Sequence, residues 1–187
     1  MAPEELLKNI AEILSELKIP YAITGGFAVS VWGNPRSTAD IDIVVELIDK
    51  NVKPLIEKVL VLNSDFYVDE DMAKDAIIHK SEFNFIDPDT GLKIDFFVMD
   101  NTPYNKLKIK RAILRDVAGA KALFVSPEDL ILGKLNWSKE SYSQKQHNDI
   151  KTVLRNSKIK LDFKYLKLWA EKHGTIETLN QLIEENK

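Results

Sequence analysis

The hydrophobic pattern of the first 125 residues changes repeatedly between helical and strand periods. Leucine and isoleucine recur at helical spacing between residues 3 and 17, which predicts an amphipathic helix at the start. Short apolar or alternating runs then predict strands with helices between them, at residues 21–24, 41–45, 112–117 and 121–125, and a hairpin around residues 87–91. The pattern therefore predicts an α+β fold with a mixed β-sheet of about five strands flanked by helices.

A helical C-terminal tail is predicted from Ser126 onward. Ser126 suits the N-cap and Pro127 the first helical position, so we predict one domain over residues 1–125 and a helical region over 126–187 that packs on it. Helical projection places Lys134 inside the apolar stripe of the first tail helix. Its ammonium group either reaches water along the helix edge or projects into a cleft toward phosphate groups, and the pattern leaves both open.

Composition bounds the chemistry of the chain. Its 187 residues are 44% hydrophobic, which is enough for a proper core, and the absence of cysteine excludes disulfides and thiolate metal sites. The acidic, amphipathic start is neither a signal peptide nor a membrane span, so we expect a cytoplasmic protein without a membrane partner.

Two carboxylates and two glycines stand out in the stretch AITGGFAVSVWGNPRSTADIDIVV. Alternation places Asp40 and Asp42 on one face of a strand, where they repel each other unless a cation such as Mg²⁺ lies between them or both face water. Gly25 and Gly26 follow a short strand and precede a short helix, a junction whose N–H groups suit a phosphate, although many glycine pairs mark ordinary turns.

Taken in order, Gly25-Gly26, a helix, Arg36 and Asp40-x-Asp42 resemble the signature of the DNA polymerase beta-like nucleotidyltransferase superfamily. Residues 126–137 and 141–154 resemble the helical tail of small prokaryotic nucleotidyltransferases and AbiEii-type toxin relatives. The resemblance implies a third carboxylate on a neighbouring strand, and Asp95 in GLKIDFFVMD matches it.

The same resemblance implies an activity and a set of site residues. It implies a Mg²⁺-dependent transferase that moves a nucleoside monophosphate from an NTP such as ATP to an acceptor hydroxyl and releases pyrophosphate. The implied catalytic and Mg²⁺-binding residues are Asp40, Asp42 and Asp95, and the implied nucleotide-binding residues are Gly25, Gly26, Arg36 and Lys134. It also suggests a toxin-type enzyme with an antitoxin partner, and the alternative is a catalytically silent nucleotide-binding or regulatory module.

Only the distribution of charge along the sequence bears on the identity of the acceptor. Residues 1–100 carry 9 Lys/Arg against 19 Asp/Glu, whereas residues 101–172 carry 16 against 7. This basic second half is either a solvated set of lysine-rich helix faces or a surface for an anionic partner. We expect an RNA end to be slightly favoured as acceptor over a small molecule or a protein hydroxyl.

Overall fold

The computed structural model describes residues 1–38, 40–117, 119–140 and 142–186. The strands in these ranges are β1 Tyr21–Ile23, β2 Asp40–Val45, β3 Glu82–Ile86, β4 Lys93–Val98, β5 Ile113–Val117 and β6 Ala120–Phe124. The helices are α1 Pro3–Glu16, α2 Gly25–Trp32, α3 Asp49–Leu62, α4 Glu70–His79, α5 Pro103–Lys110, α6 Pro127–Glu140, α7 Gln144–Leu154, α8 Phe163–His173 and α9 Ile176–Glu184.

The strands form one mixed sheet in the order β3-β4-β2-β1-β6-β5. Two neighbouring pairs are parallel, β2 with β4 and β1 with β6, and the other three pairs are antiparallel. The predicted α+β class with a mixed sheet and a C-terminal helical tail is confirmed. The sheet has six strands across the described ranges, one more than the predicted number.

Helix α5 was not predicted from the hydrophobic pattern, because its sequence is mostly polar and none of its residues is buried. Local signals for it are nevertheless present. Thr102 is the N-cap and its hydroxyl accepts a hydrogen bond from the Asn105 backbone N–H, while Pro103 occupies the first helical turn. Capping chemistry alone therefore marks this helix.

The chain groups by contacts into two compact units, the first comprising residues 1–27 and 37–125 and the second residues 28–36 and 126–187. In the first unit, alternation along β4 buries Ile94, Phe96 and Val98 and leaves Asp95 on the other face. The Phe96 ring stacks on Phe83 with the centroids 4.9 Å apart. This apolar packing joins β3 and β4 on the face of the sheet opposite Asp95.

In the second unit, helix α6 begins as its sequence indicates. The Ser126 hydroxyl accepts a hydrogen bond from the Asp129 N–H and donates one to the Asp129 carboxylate. A bond from the Asn156 side chain to the Trp32 carbonyl joins residues 28–36 to the tail helices. The predicted domain ranges 1–125 and 126–187 are not tested by this grouping and stay a prediction.

Within the described ranges, no helix combines the length and the apolar character needed to cross a membrane.

Candidate active site

The carboxylates of the first unit lie on two neighbouring parallel strands. In the register of β2 and β4, Asp42 is opposite Asp95 and Asp40 is opposite Lys93. Because residues two apart on a strand share a face and register partners in adjacent strands point the same way, these four side chains lie together on one face of the sheet. Asp40 is exposed, Asp42 is half-buried and the Asp95 side chain is 15% exposed. The cluster is therefore open to a ligand on the side of Asp40.

Lys93 belongs to this cluster, although the sequence pattern did not single it out. Its Nζ lies 2.9 Å from Asp95 Oδ2. The pKa of Lys93 is raised, mainly by this hydrogen bond and, against the opposing effect of burial, also by the negative charges of Asp95, Asp40 and Asp42. All three carboxylates thus act on one ammonium group. The signal available in the sequence was the position of Lys93 two residues before Asp95 on an alternating strand.

The glycine pair lies against the same cluster. Gly25 has φ of +59°, and a Cβ at this position would overlap the Asp42 carboxylate. A Cβ on Gly26 would overlap the Thr38 side chain. The Thr24 N–H also donates to the Asp42 carbonyl at 2.8 Å, which ties the end of β1 to β2. Only glycine at position 25 permits so close an approach of the start of α2 to the Asp42 carboxylate.

The other two predicted nucleotide-binding residues, Arg36 and Lys134, lie in the second unit on either side of a buried Asp149. Arg36 donates to both oxygens of Asp149 from Nε and Nη2, each at 3.2 Å. Lys134 Nζ donates to Asp149 Oδ2 and to Gln146 Oε1, each at 2.8 Å. With its side chain only 8% exposed, Lys134 does not reach water along the helix edge.

The electrostatics of this second cluster follow from burial. The Asp149 side chain is 7% exposed and carries one negative charge between two positive ones. A buried carboxylate is retained only when it is paired and hydrogen-bonded, which both cations provide here. Asp149 therefore fixes the positions of Arg36 and Lys134 in the second unit, and their role in nucleotide binding stays a prediction.

A divalent metal fits the chemistry of the carboxylate cluster. Among the residues that the structure describes, no group of three or more His, Cys, Asp or Glu is arranged closely enough to hold a metal by itself. Mg²⁺ does not require one, because it keeps several waters and is usually held by one or two carboxylates together with substrate phosphates. Asp42 and Asp95 offer such a pair of hard oxygen donors, and the Lys93 ammonium already lies there as a cation.

No family model and no curated protein matches the chain. Several solved structures, in contrast, are similar to the chain. ANT(2")-Ia in complex with adenylyl-2"-tobramycin is 16% identical with a TM-score of 0.59 and covers 91% of this chain and 95% of its own. The lincosamide antibiotic adenylyltransferase LnuA, lincomycin-bound, is 16% identical with a TM-score of 0.53, over 82% of this chain and 96% of its own.

An antigenic nucleotidyltransferase-like protein from Paracoccidioides brasiliensis is 19% identical with a TM-score of 0.52, over 97% of this chain and 91% of its own. The fold of the chain is therefore that of nucleotidyltransferases. The resemblance that the sequence suggested is confirmed at the level of the fold, and the predicted enzyme class agrees with it.

Proposed function

We propose that the protein transfers a nucleoside monophosphate from an NTP to an acceptor hydroxyl and releases pyrophosphate. One observation carries the proposal, namely the in-register pair Asp42 and Asp95 on adjacent parallel strands, with Asp40 on the same face and Gly25 against Asp42. Nucleotidyl transfer needs this combination of clustered carboxylates and a close backbone approach, because positioning and charge do most of the catalytic work.

The residues of the first unit have different roles in the proposed reaction. Asp40 and Asp42 would hold Mg²⁺ together with the substrate phosphates, and the ion would supply positive charge at the phosphate oxygens where negative charge grows. The N–H groups of Gly25 and Gly26 at the start of α2 receive the phosphates that leave as pyrophosphate.

The transfer itself is an in-line displacement. The acceptor oxygen forms a bond to the α-phosphorus while the bond from this phosphorus to the bridging oxygen breaks, and pyrophosphate leaves with the electron pair. Asp95 takes the proton of the acceptor hydroxyl as general base. Its placement opposite Asp42 supports this role, because a base must lie within reach of the acceptor that attacks beside the metal.

The experiment that tests the proposal combines binding with turnover. Mg-NTP binding is measured by titration calorimetry for the four NTPs, and pyrophosphate release is followed with a mixed acceptor pool of cellular RNA, small molecules and protein. Asp95→Asn should retain Mg-NTP binding to within about tenfold yet lower pyrophosphate release by roughly 10²–10⁴, the usual size of general-base catalysis.

A matched control is Asp75→Asn, which changes an exposed carboxylate on α4 that pairs with His79 at the surface, and it should behave like the unchanged protein. Mg-NTP binding without pyrophosphate release from any acceptor would instead support the alternative of a catalytically silent nucleotide-binding module. A toxin-type role and an antitoxin partner stay predictions from the resemblance.

A further inference from the structure

A sparsely buried part of the first unit comprises residues 101–117 and 119–121, which we call the α5–β5 surface. Helix α5 has no buried residue. Strand β5 lies at the edge of the sheet, and its three central residues are exposed. A helix and an edge strand that bury so little contribute little to the core. Core packing therefore does not dictate their residue types, which can instead suit a binding partner.

The charge of this surface is opposite to that of the rest of the unit. Residues 101–121 carry six Lys/Arg and one acidic residue, Asp116, whereas the remainder of the first unit carries 8 Lys/Arg against 19 Asp/Glu. By contrast, residues 126–187 carry 11 Lys/Arg against 9 Asp/Glu. The basic excess of the second half of the chain therefore lies mainly on the α5–β5 surface and not on the helical tail.

Most of the charge is presented outward. Lys106, Lys110 and Lys121 are exposed. Lys108 is held more closely, with its Nζ 4.8 Å from the centroid of the Tyr104 ring, and its charge helps to lower the pKa of Asp100. Since the segment supplies only one carboxylate of its own, an anionic partner is the chemistry that complements it.

The sheet register places the start of β5 at the same end of the sheet as the carboxylates, whereas Lys121, opposite Asp116, lies toward the other end. Ile113 is opposite Phe124, Phe124 is opposite Ile23, and Ile23 is opposite Ile43. One step further along each strand, Ala112 and Asp42 occupy the same row, three strands apart. At about 4.8 Å per strand, the backbone at Ala112, two residues after the end of α5, lies about 14 Å from that of Asp42, a distance that a short single strand can span.

We propose that the α5–β5 surface binds the phosphodiester backbone of a single-stranded RNA whose end is the acceptor at the carboxylate cluster. This inference rests on the proposed function and adds the class of acceptor. A strand end presents a free hydroxyl, and its phosphates are complementary in charge to the exposed lysines of this surface. A cationic small molecule such as an aminoglycoside would be repelled by this surface.

The test uses fluorescence anisotropy of a short labelled single-stranded RNA with two charge-matched variants. The first is the triple variant Lys106→Gln, Lys110→Gln and Lys121→Gln. The control is Lys158→Gln, Lys160→Gln and Lys164→Gln, which removes the same charge from exposed lysines of the second unit. Thermal melts should be alike for both, because all six side chains are exposed.

The first triple variant should bind RNA roughly tenfold more weakly near 0.1 M salt, and the slope of log K against log salt should fall by about 2 for three lost phosphate contacts. The control variant should change the RNA affinity and the salt slope only slightly. Equal losses in both variants, no loss in the first, or tighter binding of DNA or an acidic peptide than of RNA would overturn the inference.

Mg-NTP titration on the same proteins separates this inference from the proposed function. The first triple variant should bind Mg-NTP as the unchanged protein does, because its lysines lie outside the carboxylate cluster. Failure of the unchanged protein to bind Mg-NTP would overturn the proposed function. Normal Mg-NTP binding and pyrophosphate release, with RNA binding unaffected by the first triple variant, would overturn only the RNA surface.

Discussion

Lys93→Met tests whether the Lys93 ammonium occupies the place of a metal cation. Methionine keeps the unbranched stem and removes the charge. In metal-free buffer the variant leaves Asp42 and Asp95 opposite each other without the ammonium that contacts Asp95 at 2.9 Å. We therefore expect lower stability without metal and a higher affinity for divalent metal, two effects of opposite sign from one change.

The magnitude follows from distance and exposure. Two like charges about 5 Å apart repel by about 1–3 kcal/mol for effective dielectric constants between 80 and 20. The Lys93 side chain is 37% exposed, so solvent screening limits its net contribution to about 1 kcal/mol, the upper range of exposed pairs. A loss of about 1 kcal/mol lowers the melting temperature of a protein of this size by roughly 2–4 °C. If removal of the competing ammonium favours metal binding by the same energy, the affinity for metal rises about fivefold.

The assay is thermal unfolding in EDTA and over a series of Mg²⁺ or Mn²⁺ concentrations, together with calorimetric titration of Mn²⁺. Lys74→Met is the matched control, because Lys74 forms a 2.7 Å pair with Glu70 and is 41% exposed, close to the value for Lys93. Metal should change the melting temperature of Lys93→Met more than that of the control. Weaker metal binding by Lys93→Met, or equal metal response in both variants, would refute the reasoning.

Three further changes probe the two clusters and a helix end. Asp42→Asn removes one of three clustered negative charges, so the melting temperature in EDTA should stay equal or rise, while pyrophosphate release falls by about 10²–10³. A clear loss of stability in EDTA would mean a structural aspartate. Lys134→Met should lower the free energy of unfolding in urea by about 1–3 kcal/mol, because it leaves the buried Asp149 carboxylate with its arginine partner but without the lysine. The double variant with Asp149→Asn should lose less than the sum of the single variants, and strict additivity would contradict the coupling. The pKa of Asp100 is lowered by hydrogen bonds from Thr102 and a neighbouring asparagine, so its stabilising effect is present above its ordinary pKa and disappears as pH falls through the lowered value. Asp100→Asn should therefore reduce the melting temperature at neutral pH and have less effect in acid, and an equal effect at both would exclude the charge as the cause.

The elements of the fold were largely readable from the sequence because their signals are local. Alternation in β2 and β4 follows from the opposite orientation of successive side chains, and the cap at Ser126 is complete within four residues. The strand, glycine pair and helix around Gly25 are equally local. Helix α5 was missed because hydrophobic periodicity, the signal used, is absent from a helix that buries nothing.

The sequence did not show which residues make up the two charged clusters, because tertiary contacts bring them together. Lys93 shares a face with Asp95 by alternation, but its position beside Asp40 depends on the register of β2 and β4, which no local pattern specifies. Likewise Arg36 and Asp149 are 113 positions apart in the chain, and their ion pair depends on the grouping of residues 28–36 with the tail helices.

Charge shows the same division between sequence and structure. The sequence by itself determined that the second half of the chain is basic, since this needs only counting. Only the tertiary structure decided that the α5–β5 surface belongs with the sheet and exposes most of its lysines. In the second unit, by contrast, Lys134 is buried against Asp149 and Lys151 is paired with Glu185. A charge acts through its distance to other charges and its exposure to water, and folding sets both.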